Sequence, residues 1–524
     1  MELPFSWEWA ALTVIGAGLA LLLYGLNIPR RWQLRHLPGP TPLPFVGNLL
    51  DVAKKGLHES RNEWTKAYGD VYVWWRGRLP VVVVSQPEDA RKVVLKLNDK
   101  SFNMPSLSTS KDAKEIQKHS LAFMGKDRAK SVRAAWQPVF HSASLAEYSG
   151  PMREGAERLM ARLAEAEKEQ TEVNIWRLLG DMTMDVVGTT AFGVDLETQS
   201  DTNTVGSSSD PSKSFTAAAQ TIFQNGGLGG NPLIVLAIAL PFLTPVLRVV
   251  AQALKAVDML PKKMKDTAAA NTLLTEKALA LTTAAQSEEK VASELPAIGS
   301  FLYRLAAAKS GLSTHAVASQ AFLFMLAGYE TTANTLAFSL YNLAAHPEAM
   351  KRAMAEVDAF GSNIPEFKDL SLFPFIEAVV NESLRLYPPG TSIIPRHTEE
   401  EILLGGHRIP AGVDVAVNIY HMHHDAANFA DPELFKPERF MKGDPGFEEH
   451  HPYAHMPFGG GARVCIGMKF ALEEVKLVLI SVLQGYHIKL SPGQVPLQFG
   501  KGATLGPKNG IYCKIAAREG VSKQ

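Results

Sequence analysis

The chain has 524 residues, 46% of them hydrophobic, enough apolar material for one large core or several domains. Its 53 basic and 53 acidic residues balance, so no whole-molecule field favours nucleic acid or an anionic surface. Two cysteines, Cys465 and Cys513, are too few for a disulfide framework and point to a reducing compartment.

Trp9 to Ile28 carries no charged residue over about 20 positions, the length that spans a bilayer. The leader before it holds Glu2 and Glu8 and no base, unlike a cleavable signal or an Arg-rich transit peptide. Arg30, Arg31 and Arg35 follow, which predicts a single anchor with the rest of the chain cytosolic. Leu37-Pro38-Gly39-Pro40-Thr41-Pro42-Leu43-Pro44 is then too rich in proline for helix or sheet and reads as a stiff, extended spacer. The expected organisation is an anchor over residues 1–30, a basic, proline-rich hinge over 31–50 and one large domain over 51–524.

Val71 to Trp75 and Leu79 to Val84 flank Arg76-Gly77-Arg78 and predict a β-hairpin. Pro87-Glu88-Asp89 opens a helix, with proline and acids in its first turn. Residues 101–125 show no clean period and read as a long loop. Arg128, Lys130 and Arg133 precede Trp136 to Phe140, and as a helix face they read plainly as solvated charge. Ser200 to Lys213 reads as a mobile loop. Ser214 to Leu247 holds no charged side chain, but Gly226-Gly227, Gly229-Gly230, Pro241 and Pro245 break any long helix. An apolar patch dipping into a membrane interface fits better than a second span. Lys262 to Leu305 reads as ordinary helix.

Ser313 caps a segment that runs to Ala345, about 50 Å of helix. Between Ala316 and Ala345 its one charged residue is Glu330, and an acid in such a setting is costly, so Glu330 is a functional candidate. Helical spacing puts Gln320, Phe324, Ala327 and Thr331 on one face. Glu382 and Arg385 share a helix face, and their apolar flanks argue for a buried pair.

Phe458-Gly459-Gly460-Gly461-Ala462-Arg463-Val464-Cys465-Ile466-Gly467 is the most distinctive stretch. Its glycines predict a tight backbone with positive φ angles. Cys465 precedes a helix from Phe470 to Leu483, where amides and the helix dipole favour a thiolate. Such a thiolate is a nucleophile or a metal ligand; the plain alternative is a small residue packed in a loop.

The spacing of Phe458, Gly461, Arg463, Cys465 and Gly467 resembles the haem-binding loop of the cytochrome P-450 family. Ala327-Gly328-Tyr329-Glu330-Thr331-Thr332 resembles the same family's oxygen-activation motif. Glu382 and Arg385, with Pro437-Glu438-Arg439-Phe440, resemble its buried structural network. Asp185 to Gly193 resembles one of its core helices, and the proline segment resembles its microsomal hinge. The resemblance implies a mainly α fold with small β-sheets plus one N-terminal transmembrane helix. It implies haem b (iron protoporphyrin IX), with Cys465 as axial ligand of the iron. Phe458 would pack beside the sulfur, and Gly461 and Gly467 would let amides point at it. Arg463, Arg396 and Arg133 would face the haem propionates, although Ala129 stands where the family carries a tryptophan.

Thr331 and Glu330 are the implied catalytic proton relay, with Gly328 and the threonine hydroxyl loosening the helix locally. Phe324, Ala327, Thr391, Ile393 and Ile394 are the implied substrate-pocket residues, and residues 101–125 its cap. The implied activity is insertion of one atom of O2 into a lipophile of the sterol, terpenoid, apocarotenoid or fatty-acid class. NADPH electrons would arrive through NADPH–cytochrome P-450 reductase, with cytochrome b5 as an accessory donor, because the chain shows no flavin or nicotinamide fingerprint. The bases near Arg133 would help dock that donor, at the endoplasmic reticulum membrane. A haem-thiolate isomerase or dehydratase acting on a peroxide is the alternative, and a haem sensor or carrier a second; the Glu330–Thr331 pair favours the monooxygenase. His451-Pro452-Tyr453-Ala454, Pro496-Leu497-Gln498 and Lys508-Asn509-Gly510 look similar to the group holding vertebrate drug- and steroid-oxidising enzymes, thromboxane synthase and plant carlactone oxidases, the plant type above all.

Overall fold

Strands β1 (Val71–Arg76) and β2 (Leu79–Val84) pair antiparallel around the turn at Gly77-Arg78, as their valine-rich sequences predict. The computed structural model describes residues 7–100, 105, 107–108, 110–199, 214–226, 231–286, 300–307, 312–392 and 394–518. Within them lie β3 (Val173–Asn174), β4 (Arg396–His397), β5 (Ile402–Leu404), β6 (His407–Ile409), β7 (Asp414–Val417), β8 (Tyr486–Leu490) and β9 (Tyr512–Ala517). One sheet has the order β1-β2-β7-β4, with β2 and β7 parallel. A second has the order β3-β9-β8, and β5 and β6 form a separate hairpin. Val73 donates its N–H to the carbonyl of Pro38 at 2.9 Å, so the proline segment lies along β1. Cys513 is a packing residue of β9, where burial pushes its thiol up to about 12.

Helices make up the rest, organised around the 32-residue Thr314–Ala345 helix. The Ser313 hydroxyl accepts from the Ala316 amide at its N-terminus, the predicted cap. Helix Ile175–Val187 crosses it closely. A Cβ on Gly328 would sit 2.7 Å from Val187 Cγ2, so this glycine serves the crossing. The predicted loosening of the helix at Gly328 is absent, because the helix runs unbroken through it.

Two expectations change. Residues 111–118 form a helix, Lys111–Lys118, capped by Ser110, where a loop was expected; its buried residue is Ile116, too little to show a period. Lys262 to Leu305 divides into Lys262–Gln286 and Phe301–Ala307, with 287–299 outside the described residues. The expected loop from Ser200 to Lys213 also lies outside them.

The uncharged stretch forms helices Phe215–Asn225, Pro232–Ala239 and Thr244–Ala256, with Leu236, Phe242, Val246, Val249 and Val250 exposed. The N-terminal helix, Trp7–Leu26, exposes Leu12, Val14, Ile15, Leu19 and Leu21 to Tyr24. Tyr24 ends 6.3 Å from the ring of Phe242, so the two apolar surfaces adjoin. Among the described residues no helix is long and apolar enough to cross a membrane, and the side chains of residues 7–11 and 17 are not among them. The transmembrane helix expected over Trp9–Ile28 therefore rests on sequence alone.

Glu382, Arg385 and Arg439 are each 0% exposed. Glu382 accepts from Arg385 Nε at 2.7 Å and Nη2 at 2.9 Å, and from Arg439 Nε at 3.1 Å. Arg385 also donates to the carbonyls of His423 and Pro432, at 2.8 and 2.7 Å, fastening the chain that leads to the cysteine loop. Removing one partner strands the others without water. Glu382→Ala is expected to lower unfolding free energy by about 3–5 kcal/mol. Urea unfolding followed by tryptophan fluorescence checks this, and a loss below about 1 kcal/mol, the value of an exposed pair, contradicts it.

Candidate active site

Cys465 sits just before the N-cap Gly467 of helix Met468–Gly485. Its amide donates to the Phe458 carbonyl at 3.0 Å, closing the loop on itself. Gly461 has φ of +65°, and a Cβ there would lie 1.9 Å from the carbonyl oxygen of Val94. Only glycine lets the loop press on helix Pro87–Lys96. Gly459 also has positive φ, at +72°, but Gly460 is extended and Gly467 has φ of −87°, so the predicted positive angles hold for two of the four. Gly467 contributes its amide, which faces the sulfur. Phe458 and Ile466 are half-buried against the main core.

The sulfur is exposed yet deep enough that burial pushes the thiol above its ordinary pKa. The Gly467 amide and the charges of Lys100 and Arg133 oppose that shift without reversing it. Desolvation thus works against the helix terminus at this thiol.

A crowd of cations surrounds the loop. Arg396, on β4, is 1% exposed, and its Nε and Nη1 have no hydrogen-bond partner. Burial, Arg463 and Arg133 lower its pKa to about 9. Burial and Arg133 lower Arg463 to about 10. Lys100 is lowered well below the usual range by burial, then by Arg396, Arg463 and Arg133. Arg463 donates to the carbonyls of Asn98, Leu121 and Met124 at 2.9–3.1 Å, so most of its donors are occupied by backbone. Arg133 is half-buried on helix Lys126–Trp136, with Ala129 fully buried one turn earlier. Three arginines and a lysine crowd together here, one of them an orphaned buried guanidinium, and form a cradle for an anionic group that a dicarboxylate haem beside a cysteine sulfur fits.

The central helix supplies a second wall. Ala327 is exposed at the middle of an otherwise buried helix, and Thr331 is half-buried one turn on, its hydroxyl donating to the Ala327 carbonyl at 2.7 Å. Gln320, at the N-terminal end of this face, is fully buried: it donates to the His119 carbonyl at 2.6 Å and accepts from the Leu121 amide at 3.1 Å. Phe324 is drawn into an aromatic cluster, 4.4 Å from Trp136 and 5.8 Å from Phe140. Thr391 and Ile394 are half-buried on the segment leading to Arg396, and Ile393 lies outside the described residues.

Glu330 is 5% exposed and points away from Ala327. Its Oε1 accepts from the Thr504 hydroxyl, while Oε2 is buried without a partner. Burial raises its pKa to about 8, against the Thr504 and Asn334 side chains, which lower it. A pocket of about 210 Å³ opens beside it, between Trp176, Gln224 and the 500–508 loop. A larger groove, about 520 Å³, runs along Leu343, Met350, Met354 and Ile488, apart from these residues.

Sequence reasoning missed Lys100 and Thr504. Lys100 stands in an irregular segment with no local signal. The glycines at 500, 502 and 506 were the available hint that the loop around Thr504 presses on something.

The chain matches the family model described as Cytochrome P450 over residues 37–514. It is 30% identical to cytochrome P450 3A5 of Homo sapiens, over 97% of this chain and 97% of that protein. It is also 30% identical to cytochrome P450 3A56 of Fundulus heteroclitus, over 95% of this chain and 96% of that one. Thromboxane-A synthase of Macaca fascicularis is 29% identical, over 95% of this chain and 96% of its own. These relatives fall in the group that the C-terminal signatures resemble. With that match over residues 37–514 and relatives 30% identical over nearly their full length, the chain belongs to the cytochrome P450 family, oxidoreductases of the monooxygenase class.

Proposed function

We propose that this protein is a haem-thiolate monooxygenase of the endoplasmic reticulum membrane that inserts one atom of O2 into a lipophilic small molecule, with NADPH electrons relayed by a separate reductase. The observation that carries the reading is the exposed Cys465 with Lys100 and Arg133 acting on its sulfur, in the same cluster as the unpartnered, buried Arg396. Cys465 would hold the haem iron, and Arg396, Arg133, Arg463 and Lys100 would take its propionates. When bound, the haem supplies a redox-active iron whose thiolate ligand favours O–O cleavage.

The residues of this chain do the rest. Ala327 leaves space on the central helix, and Phe324 buttresses that wall through its aromatic cluster. The Thr331 hydroxyl holds a proton at the cavity face, and Glu330, largely protonated at neutral pH, resupplies it. The exposed apolar side chains from Leu236 to Val250, adjoining Tyr24, give a lipophile and the bilayer a common surface. Arg128 and Lys130, exposed on the helix that carries Arg133, offer an acidic donor a site near the cradle. Thromboxane-A synthase among the relatives keeps isomerisation in view. The acid next to Thr331 favours the monooxygenase, because an isomerase needs no proton relay from solvent.

The reduced, membrane-expressed protein is expected to show the strongly red-shifted Soret band of carbon monoxide on thiolate-ligated haem. Cys465→Ala should abolish that band; an unchanged spectrum contradicts the ligand assignment. Arg396→Met should leave the protein without haem as stable or more stable, since a strained buried charge is gone, yet lower haem retention on gel filtration. A destabilised, haem-retaining variant would make Arg396 a structural residue instead. Thr331→Ala should keep the spectrum but divert electrons to peroxide, lowering product per NADPH by about tenfold or more. Equal yield removes Thr331 from the relay.

A further inference from the structure

Glu330 and Thr331 are neighbours in sequence but lie roughly 100° apart around the helix. Thr331 shares its face with Ala327, whereas Glu330 faces the loop from Gly500 to Lys508. That loop is fastened from several sides. Leu505 accepts from Asn334 Nδ2 at 3.0 Å, and Asn334 in turn accepts from the Trp176 indole at 2.6 Å. Ala503 donates its N–H to the Phe223 carbonyl at 2.9 Å, and Leu505 donates to that of Pro389 at 2.9 Å. Thr504 is thereby held where its hydroxyl meets Glu330 Oε1.

The adjoining pocket of about 210 Å³ has Glu330 and Thr504 in its wall and the exposed Lys501 and Lys508 at its rim. It is polar and has room for several waters, and the unpartnered Oε2 of Glu330 is the kind of buried group that an ordered water satisfies. We infer that this pocket is the inlet through which solvent protons reach Glu330, and that Thr504 is the positioning residue that holds the carboxyl at that inlet. The inference rests on the relay proposed above and adds where its protons enter. Each transfer releases one proton from the Glu330 carboxyl toward Thr331 and recovers one from pocket water, so the acid returns to its starting state.

The charged and titratable groups around the pocket are Lys501 and Lys508 at its rim, Tyr329 on the same helix, and Asp181 and Arg177 on helix Ile175–Val187 behind Tyr329. Burial sets the Glu330 pKa at about 8 and the Thr504 hydroxyl pulls it down. Loss of that hydroxyl therefore moves the midpoint upward, and in either form the donor is depleted as pH rises through it.

Thr504→Val, Thr504→Ser and Gly500→Leu in the membrane-bound holoenzyme test this. A Cβ at Gly500 meets no atom nearer than 3.8 Å, so leucine there fills the pocket without a clash at Cβ. Infrared titration of the resting enzyme follows the protonated carboxyl band, assigned by its loss in Glu330→Gln. Thr504→Val should shift its midpoint upward and cut product per NADPH by about tenfold, part of what positioned proton transfer contributes. Thr504→Ser should restore both, and Gly500→Leu should lower product per NADPH and enlarge the solvent isotope effect. A midpoint unmoved in Thr504→Val overturns the positioning role, and coupling unmoved by Gly500→Leu overturns the inlet. If Glu330→Gln and Thr331→Ala leave coupling intact, the relay itself fails; if they lower it while the loop variants do not, the relay stands and this inference alone falls.

Discussion

A carboxylate clasped by two guanidinium groups, all three out of reach of water, is the constraint on which the cysteine loop depends. Glu382 pairs with both Arg385 and Arg439, Glu448 takes a further donor of Arg439, and the other donors go to the backbone carbonyls of His423, Ala430, Pro432 and Leu434. The chain cannot leave that course without uncovering a bare charge. His423 carries the order onward: it is fully buried, its pKa pushed well down by burial, and its Nε2 accepts the Met456 amide at 3.0 Å. Met456 accepts from Gly459, at the start of the tight loop that ends on Cys465. Buried ions thus fix a scaffold whose own chemistry lies elsewhere.

The cationic cradle inverts that logic. Burial lowers the pKa of Arg396, Arg463, Arg133 and Lys100, nearby arginines lower it further for all but Arg133, and two donors of Arg396 go unpaired. An anionic group bound among them would relieve that crowding. The Cys465 thiol belongs to the same balance: burial keeps the proton on, and the neighbouring cations oppose it.

The central helix separates functions by face. Gly328 and Gly180 admit close contacts with Val187 and Tyr329 on one side, Ala327 and Thr331 stay open on another, and Glu330 with Asn334 meets the C-terminal loop. A costly buried acid is tolerable there because a hydroxyl satisfies one oxygen and a polar pocket lies against the other.

Much of this was legible in the residues. The hairpin at 71–84, the Ser313-capped helix, the Glu382–Arg385 pair and the cysteine loop depend on local spacing, on turn and cap chemistry, or on motifs whose members lie within a few positions of one another. Helix Lys111–Lys118 escaped notice because one buried isoleucine makes no period. The Cys465 pKa ran opposite to the helix-end argument, since desolvation is set by the whole surrounding fold. Lys100 joins Arg396 and Arg463 across some three hundred residues or more of chain, and Thr504 meets Glu330 across 174. Sequence by itself determined which groups could carry the chemistry. Only tertiary structure decided which face each one presents, which charges stay unpaired and where water can reach the acid, because those depend on contacts between segments that share no local pattern.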